Sequence, residues 1–192
     1  MSNSEEVGRA AIAAARMLQR LEPGPLADLR RMDGGIGAAG FWRLAAQHPD
    51  TIGRDQEPWM GIVHIMAILT PKGEPSARWD LHDPRRRLGT VLCDGGDPGW
   101  PGTSAPRPTV SEHRLGQLIA SRGKQREVLL TRVARAIART RQPNSGVNVV
   151  DIAWTLLDPD SKYSTQRLAE PYYRRLDRAE REHQTNQEGA KE

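Results

Sequence analysis

The sequence predicts an all-α fold, a compact helical bundle, from three observations. Apolar residues recur at helical spacing along most of the 192 residues, and no segment alternates apolar with polar residues as a half-buried strand does. Clusters of glycine and proline separate the periodic segments. No internal repeat indicates a solenoid. A chain of this length buries about 70% of its unfolded surface, which is enough for one core or two small lobes.

The first half of the chain predicts four helices and one short apolar turn or helix. The predicted ranges are 5–21, 26–32, 41–47 and 59–69 for the helices and 86–93 for the turn. Pro23, Gly24 and Pro25 end the first helix, and Pro58 suits the first turn of the fourth. The fourth helix is apolar on nearly every side, so we expect it to be buried at the centre of the N-terminal half.

The second half of the chain predicts four more helices. Ser111 is a predicted N-cap for a helix over 112–120, because its hydroxyl can accept a backbone N–H. A basic helix follows as far as Arg141. Either Asn148 or Asp151 can cap the next helix, which carries Ile152, Trp154, Leu156 and Leu157. The last helix is predicted from residue 165 to about 184.

The segment from Asp94 to Pro108 divides these two sets of helices. Its sequence, DGGDPGWPGTSAPRP, is too rich in glycine and proline for a regular element, so it predicts a mobile linker or loop. The expected organisation is an N-terminal helical lobe (1–93), this Gly/Pro-rich loop (94–108), a C-terminal helical lobe with the basic helix (109–184), and a polar tail (185–192).

Composition predicts a cytoplasmic protein that does not associate with a membrane. No run of about 18 apolar residues is present, and the opening MSNSEEVGR is acidic and polar, unlike a signal peptide. The single cysteine, Cys93, cannot form an internal disulfide, which fits a reducing compartment. The 28 basic and 24 acidic residues give a formal net charge of +4.

The basic residues concentrate in one part of the chain. Between Arg78 and Arg141 there are 13 basic and 6 acidic residues, a balance of 13 − 6 = +7, whereas the remainder has 15 − 18 = −3. On the helix within this region, the aliphatic residues Leu130, Val133 and Ile137 share one face. The opposite face carries Lys124, Arg132, Arg135 and Arg139.

Such a row of cations fits a phosphate backbone better than a small substrate. The alternative, an ordinary solvated face, stays open, although such faces usually interleave acids with bases. Aromatic residues are few, at 5%, and most lie in apolar runs, so no base-stacking platform is evident. The pattern therefore predicts contact with the backbone rather than with the bases.

Other motifs give little support for catalysis or cofactor binding. Residues 35–40, GIGAAG, match the spacing of a dinucleotide-binding loop, but a charged helical segment precedes them instead of an apolar strand. The five histidines are scattered, with no second His or Cys at helical metal spacing. His64 lies in an apolar helix and is expected to be a satisfied core residue. We therefore predict a protein that is not an enzyme and has no cofactor or metal.

The order of several short motifs resembles a known family. The motifs are LRRM, FWRL, a Trp-led apolar helix, RLG, SEHRLGQLIAS and DIAWTLL, which together extend from about Leu26 to Tyr173. This order is similar to that of the CasB family, the small subunit of the type I-E CRISPR Cascade surveillance complex. The Gly/Pro segment after Cys93 departs from the compact family pattern.

The resemblance implies an all-helical, non-catalytic subunit that is present as two copies in a ribonucleoprotein. The implied partners are the backbone and large subunits of Cascade, a second copy of the chain, CRISPR guide RNA and target DNA, whose R-loop it stabilises. Together, the resemblance and the basic helix predict a set of backbone contacts: Arg30, Arg31, Arg43, Arg54, Arg114, Arg122, Lys124, Arg132, Arg135 and Arg139.

Two other hypotheses remain open. A helical protein–protein adaptor would use the same arginines to bind acidic surfaces of its partners. Less favoured is a nucleotide-dependent enzyme built on the GIGAAG loop. Binding of unrelated DNA sequences distinguishes the adaptor from the nucleic-acid subunit, since an adaptor has no need to bind a polyphosphate.

Overall fold

The computed structural model describes residues 3–32, 36–102 and 104–189. Over these residues the regular elements are all helices, and none is a β-strand. The α-helices are α1 (Asn3–Arg20), α2 (Pro23–Arg31), α3 (Ala39–Gln47), α4 (Gln56–Leu69), α5 (Leu88–Asp94), α6 (Glu112–Ala120), α7 (Gly123–Thr140), α8 (Val149–Leu157) and α9 (Lys162–Gly189). A π-helical turn (Pro49–Gly53) and a 3-10 turn (Pro75–Ala77) supplement them. His82 and Val147 form an isolated parallel bridge. The predicted all-α class is confirmed.

The ends of several helices follow from local side chains. The Ser111 hydroxyl accepts a 3.4 Å hydrogen bond from the Arg114 backbone N–H, which confirms Ser111 as the cap of α6. Of the two candidate caps for α8, Asn148 serves, because its side-chain oxygen accepts the Val150 N–H at 3.1 Å. Asp151 instead accepts the Leu88 N–H at the start of α5.

Helix α9 is longer at both ends than the sequence predicts. It begins at Lys162 and continues to Gly189, into the segment expected to be a polar tail. Residues that form helices well, such as Arg, Glu and Gln, fill this stretch. The Arg178–Glu182 pair, 2.7 Å apart, adds an i,i+4 contact on its surface.

Helix α4 lies at the centre of the fold. It packs against α2, α7 and α8, while α1 packs against α8, and α5 packs against α9. Nearly every side chain from Trp59 to Leu69 is buried, as the uniform apolar pattern predicts. Helices from both sides of the Gly/Pro segment contribute to a single hydrophobic cluster. The predicted division at 94–108 therefore does not correspond to two separate cores.

The Gly/Pro segment folds back onto the helices. Asp94 is the last residue of α5, and Gly95 ends the helix in the left-handed conformation, with φ of 67°. The Thr109 backbone N–H then donates a hydrogen bond to the Cys93 carbonyl at 2.9 Å. The Arg175 guanidinium of α9 lies over the Trp100 ring, 5.1 Å from its centroid. The described part of the segment is thus a loop anchored on α5 and α9.

Four arginines bind the carbonyl groups at the ends of helices instead of facing solvent. Arg78 donates to the carbonyls of Leu18, Gln19 and Leu21 at the end of α1. Arg126 is 1% exposed and donates to Ile119, Ser121 and Thr155. The other two, Arg30 and Arg141, bind the end of α4. A cation in this position satisfies orphan carbonyls and opposes the negative end of the helix dipole.

Candidate nucleic-acid interface

The basic helix α7 has the two faces that its sequence predicts. Leu130, Ala134 and Ile137 are buried against the core, and Val133 is half-buried. Arg132, Arg135 and Arg139 are exposed. Seven residues separate Arg132 from Arg139, so the three guanidinium groups are distributed along about 10 Å of helix.

These three arginines are free of partners within the described residues: no hydrogen bond or ion pair involves the side chains of Arg132, Arg135 or Arg139. A guanidinium that is exposed and unpaired keeps all five donors available for an external anion. The free cationic face of α7 is therefore the strongest feature of the predicted site.

Helices α2 and α7 border a common groove, which we call the α2–α7 groove. It has a volume of about 480 Å³. Five basic side chains and one carboxylate, Glu127, line it together with neutral residues. The basic side chains are Arg30, Arg31, Lys124, Arg132 and Arg135. The fold thus brings the arginine pair of LRRM to the basic helix, which sequence alone could not establish.

Not every cation in the groove is available. Arg30 turns inward: its Nε donates to the Ala67 carbonyl at 2.9 Å and its Nη2 to the Thr70 carbonyl at 2.7 Å. Burial, with a smaller effect from Arg78, lowers the pKa of Arg30. Its first role is therefore to cap α4. Arg31 remains 74% exposed and pairs with Asp28 at 2.9 Å, a surface ion pair worth little energy.

Lys124 and Glu127 form a second ion pair in the groove, 2.7 Å apart. Glu127 also lies against Gly61 of α4, where an added Cβ would come within 2.8 Å of its carboxyl carbon. The side chain of Glu127 is only 16% exposed, whereas Lys124 is 57% exposed. The carboxylate is thus held between α4 and α7, and it neutralises part of the positive charge at this end.

The other five predicted residues lie outside the lining of the α2–α7 groove, and of these Arg139 stands on the exposed face of α7 beyond it. Arg43 and Arg114 are exposed on α3 and α6. Arg54 is 67% exposed and lies 3.8 Å from Asp55. Arg122 pairs with Asp160 and donates to the Ile119 and Ser121 carbonyls. Arg122 therefore joins the internal contacts that fix the start of α7.

His64 lies beneath the groove as a satisfied core histidine. It is 8% exposed, and its Nδ1 is 3.0 Å from the Leu29 carbonyl oxygen, so Nδ1 carries the proton. Burial lowers its pKa, and the positive charges of Arg135 and Lys124 lower it further, against the opposite effects of Leu29 and Glu127. The imidazole is accordingly neutral at pH 7, and its pKa depends on the charge of the groove.

The GIGAAG segment does not have the surroundings of a dinucleotide site. Gly35 lies outside the described residues, and the segment before it is helix α2, as predicted. Gly37 has φ of 71°, and the Trp42 indole donates to the Ile36 carbonyl at 3.1 Å. An added Cβ at Gly37 would lie 3.0 Å from the Trp42 ring. These contacts make residues 36–38 a tight turn, and Ala39 and Gly40 already belong to α3.

Within the described residues, no group of three or more His, Cys, Asp or Glu side chains is placed to hold a metal ion. In the same part of the chain, no helix is long and apolar enough to cross a membrane.

The structure has a second basic surface, between α5 and α9, that the sequence analysis did not predict. This α5–α9 cleft has a volume of about 460 Å³. Glu170 is the carboxylate among its lining residues. Six arginines also line it: Arg85, Arg87, Arg167, Arg174, Arg175 and Arg178. The triplet Arg85–Arg87 was one signal in the sequence, but nothing there placed it beside α9.

Comparison with protein-family models and with curated protein sequences finds no match to this chain. The resemblance to the CasB family therefore remains a prediction that rests on the order of the motifs.

Proposed function

We propose that the protein is a non-catalytic subunit that contacts the nucleic-acid backbone through the α2–α7 groove and the adjoining exposed face of α7. Arg132, Arg135 and Arg139, exposed and unpaired along one face of α7, carry this proposal. Guanidinium groups bind phosphates through paired N–H donors and read no base when they do so. The groove adds Arg31, whose surface ion pair with Asp28 is weak enough to exchange for phosphate, and Lys124, whose side chain is 57% exposed beside Glu127.

The order of the motifs supports the proposal that this is a subunit of a type I-E Cascade complex, in the cytoplasm. There it would contact guide RNA and target DNA, the backbone and large subunits, and a second copy of itself. R-loop formation is nearly balanced in base-pairing energy, so contacts to phosphates can shift it without any sequence specificity. A basic groove without base-reading side chains is sufficient for that task.

Salt-dependent binding tests the proposal. The purified chain is titrated with duplex DNA of unrelated sequences over a series of salt concentrations. If about four arginines contact phosphates, log K falls with log salt with a slope of roughly −3 to −4. The variant Arg132→Glu/Arg135→Glu/Arg139→Glu should bind more weakly, with a flatter slope.

A charge-matched control keeps this test specific. Arg16, Arg20 and Lys72 are exposed and lie outside both basic surfaces, so reversing all three changes the net charge by the same amount. This control should bind nearly as well as the wild type. If it binds as weakly as the α7 variant, the groove has no special role. If the wild type does not bind even at low salt, the adaptor hypothesis replaces this one.

A further inference from the structure

The α5–α9 cleft carries the more specific inference. Along one face of α9, Tyr163, Arg167, Arg174 and Arg178 follow one another at intervals of four or seven residues. The first and last are 15 residues apart, which is about 22 Å of helix. The cleft is therefore an elongated surface, rather than a pocket for a small ion.

Two buried carboxylates fix part of the cleft. Asp151 lies 3.1 Å from Arg87 Nη1 and 3.3 Å from Arg167 Nε, and its side chain is fully buried. Asp94, 1% exposed, lies 2.9 Å from Arg86 and 3.4 Å from Arg175. Each carboxylate thus holds two guanidinium groups in place. The rotamer entropy of these arginines is lost on folding and need not be lost again when a ligand binds.

Positive charge remains after this pairing. The six lining arginines and Arg86, which shares Asp94 with Arg175, make seven positive charges. Five carboxylates offset them, namely Glu170, the two buried aspartates, and the surface partners Asp83 and Glu182, which leaves 7 − 5 = +2. Arg174 is exposed and, among the described residues, has no partner. Arg85 is 90% exposed, and its nearest carboxylate, Asp83, is 3.5 Å away. These two side chains are available to an external polyanion.

An aromatic ring lies at one end of this stripe. Tyr163 is 61% exposed, and the Arg167 guanidinium lies 4.8 Å from the centroid of its ring. The carboxylate of Asp151 holds Arg167, so the ring has a fixed neighbour on one side while most of its surface stays open. Exposed aromatic rings beside basic grooves bind the unstacked bases of single strands.

We propose that the α5–α9 cleft binds single-stranded nucleic acid, with the arginines on phosphates and Tyr163 stacked on a base. This inference rests on the proposed function for its class of partner, but on a different surface. A duplex keeps its bases stacked internally, so it cannot use Tyr163 in this way. The exposed ring thus favours a single strand over a duplex, and over an acidic peptide, which would need only the cations.

Fluorescence anisotropy with labelled 12-mers tests the cleft. The probes are a thymidine strand, an RNA strand, an abasic strand of equal charge and a duplex. We expect the single strands to lose at least tenfold in affinity with Arg174→Glu/Arg178→Glu, whereas the duplex loses less than threefold. The groove variant Arg132→Glu/Arg135→Glu/Arg139→Glu should weaken the duplex at least tenfold, an effect that does not depend on the cleft, so failure of this inference is distinguishable from failure of the proposed function.

The stacking contact has its own variant and control. Tyr163→Leu should weaken binding of the thymidine or RNA strand by about 5- to 100-fold and leave the abasic strand unchanged, because only a base can stack. Whichever of the DNA and RNA strands loses more is the one that depends more on stacking against Tyr163. Arg16→Glu/Arg20→Glu, with the same change in charge as the cleft variant, should have little effect.

Three results would overturn the inference. The first is equal binding of the abasic and the base-bearing strands by the wild type. The second is loss of duplex affinity equal to that of the single strands when Arg174 and Arg178 are reversed. The third is displacement of the thymidine strand by a polyglutamate peptide at equal charge concentration, which would assign the cleft to an acidic protein. A thermal melt of each variant verifies that it is folded.

Discussion

Gly89 of α5 and Leu168 of α9 approach each other so closely that no side chain fits between the two helices. A Cβ at Gly89 would overlap the Leu168 carbonyl oxygen and would lie 2.9 Å from its carbonyl carbon and 3.1 Å from the Tyr172 backbone nitrogen. All of these neighbours are backbone atoms, which cannot rotate away. The contact determines how near α5 comes to α9, and with it the width of the α5–α9 cleft.

Gly89→Ala should therefore destabilise the protein. The added methyl group forces the two helices apart, and overpacking of this kind costs about 1 to 3 kcal/mol, or more where backbone must move. Urea unfolding gives the change in the free energy of unfolding. Gly116→Ala is the matched control, since an added Cβ there meets nothing within 4 Å and alanine favours the helix. An equal loss in both variants would contradict this account of the α5–α9 contact.

Replacement by methionine should have different effects at two arginines of α7: a loss of stability at Arg126 and a loss of DNA affinity at Arg132. Arg126→Met removes one donor from each of the carbonyls of Ile119, Ser121 and Thr155. It should cost about 2 kcal/mol of stability, since Thr155 loses its side-chain donor whereas the other two carbonyls keep Arg122. Arg132→Met, at an exposed site, should change stability by less than about 0.5 kcal/mol. At fixed salt, Arg132→Met should bind duplex DNA more weakly than the wild type. Arg126→Met should bind duplex DNA as well as the wild type when it is assayed at a temperature where it is folded.

This contrast shows where the sequence-based prediction of the site falls short. A basic run gives the number of cations but not the direction in which each side chain points. Of the 13 bases between Arg78 and Arg141, four bind carbonyls at the ends of helices, one of them, Arg122, from a partly exposed position. Arg126 stands in the same basic helix as Arg132, one and a half turns earlier. Its burial depends on where α6 and α8 end in space, and periodicity within one helix does not give that.

The helices themselves were largely predictable, because local signals determine them. The Ser111 cap and the uniformly apolar α4 are visible in a window of a few residues. The prediction was less exact for α2, which begins at Pro23 rather than at residue 26, because proline is tolerated in the first turn of a helix. The pairing of α5 with α9 was not visible, since these helices are separated by 67 residues. The α5–α9 cleft depends on that pairing, which is why the exposed Tyr163 could not be assigned to a basic surface.

Asp151 should be essential for stability, although it is not placed to act on any ligand. It accepts the Leu88 N–H at the start of α5 with one oxygen, at 3.1 Å, and contacts Arg87 and Arg167 with the other. Asp151→Asn leaves Arg167, only 19% exposed, without its counter-charge. We expect a loss of about 3 kcal/mol in the free energy of unfolding. The control Asp177→Asn, at an exposed position, should lose less than about 0.5 kcal/mol.

His64 provides a titratable probe of the α2–α7 groove. Its pKa in the folded chain is lowered, first by burial, so the unfolded chain takes up a proton at higher pH than the folded chain does. The contribution of His64 to stability is therefore complete above its unfolded pKa of about 6.5, and it decreases as pH falls below that value. Wild-type protein should lose more stability than His64→Gln between pH 7.5 and pH 5.5.

Nuclear magnetic resonance should detect ligand binding through the same imidazole. Arg135 and Lys124 lower the pKa of His64, so phosphates that neutralise them should raise it. Adding duplex DNA is expected to move the titration midpoint of His64 upwards, and Arg135→Gln should move it in the same direction without DNA. His82 is the internal control, because burial lowers its pKa as well, but the charges that act on it are Asp83, Arg16 and Asp151. An equal shift of both histidines, or of neither, would argue against phosphate binding in the α2–α7 groove.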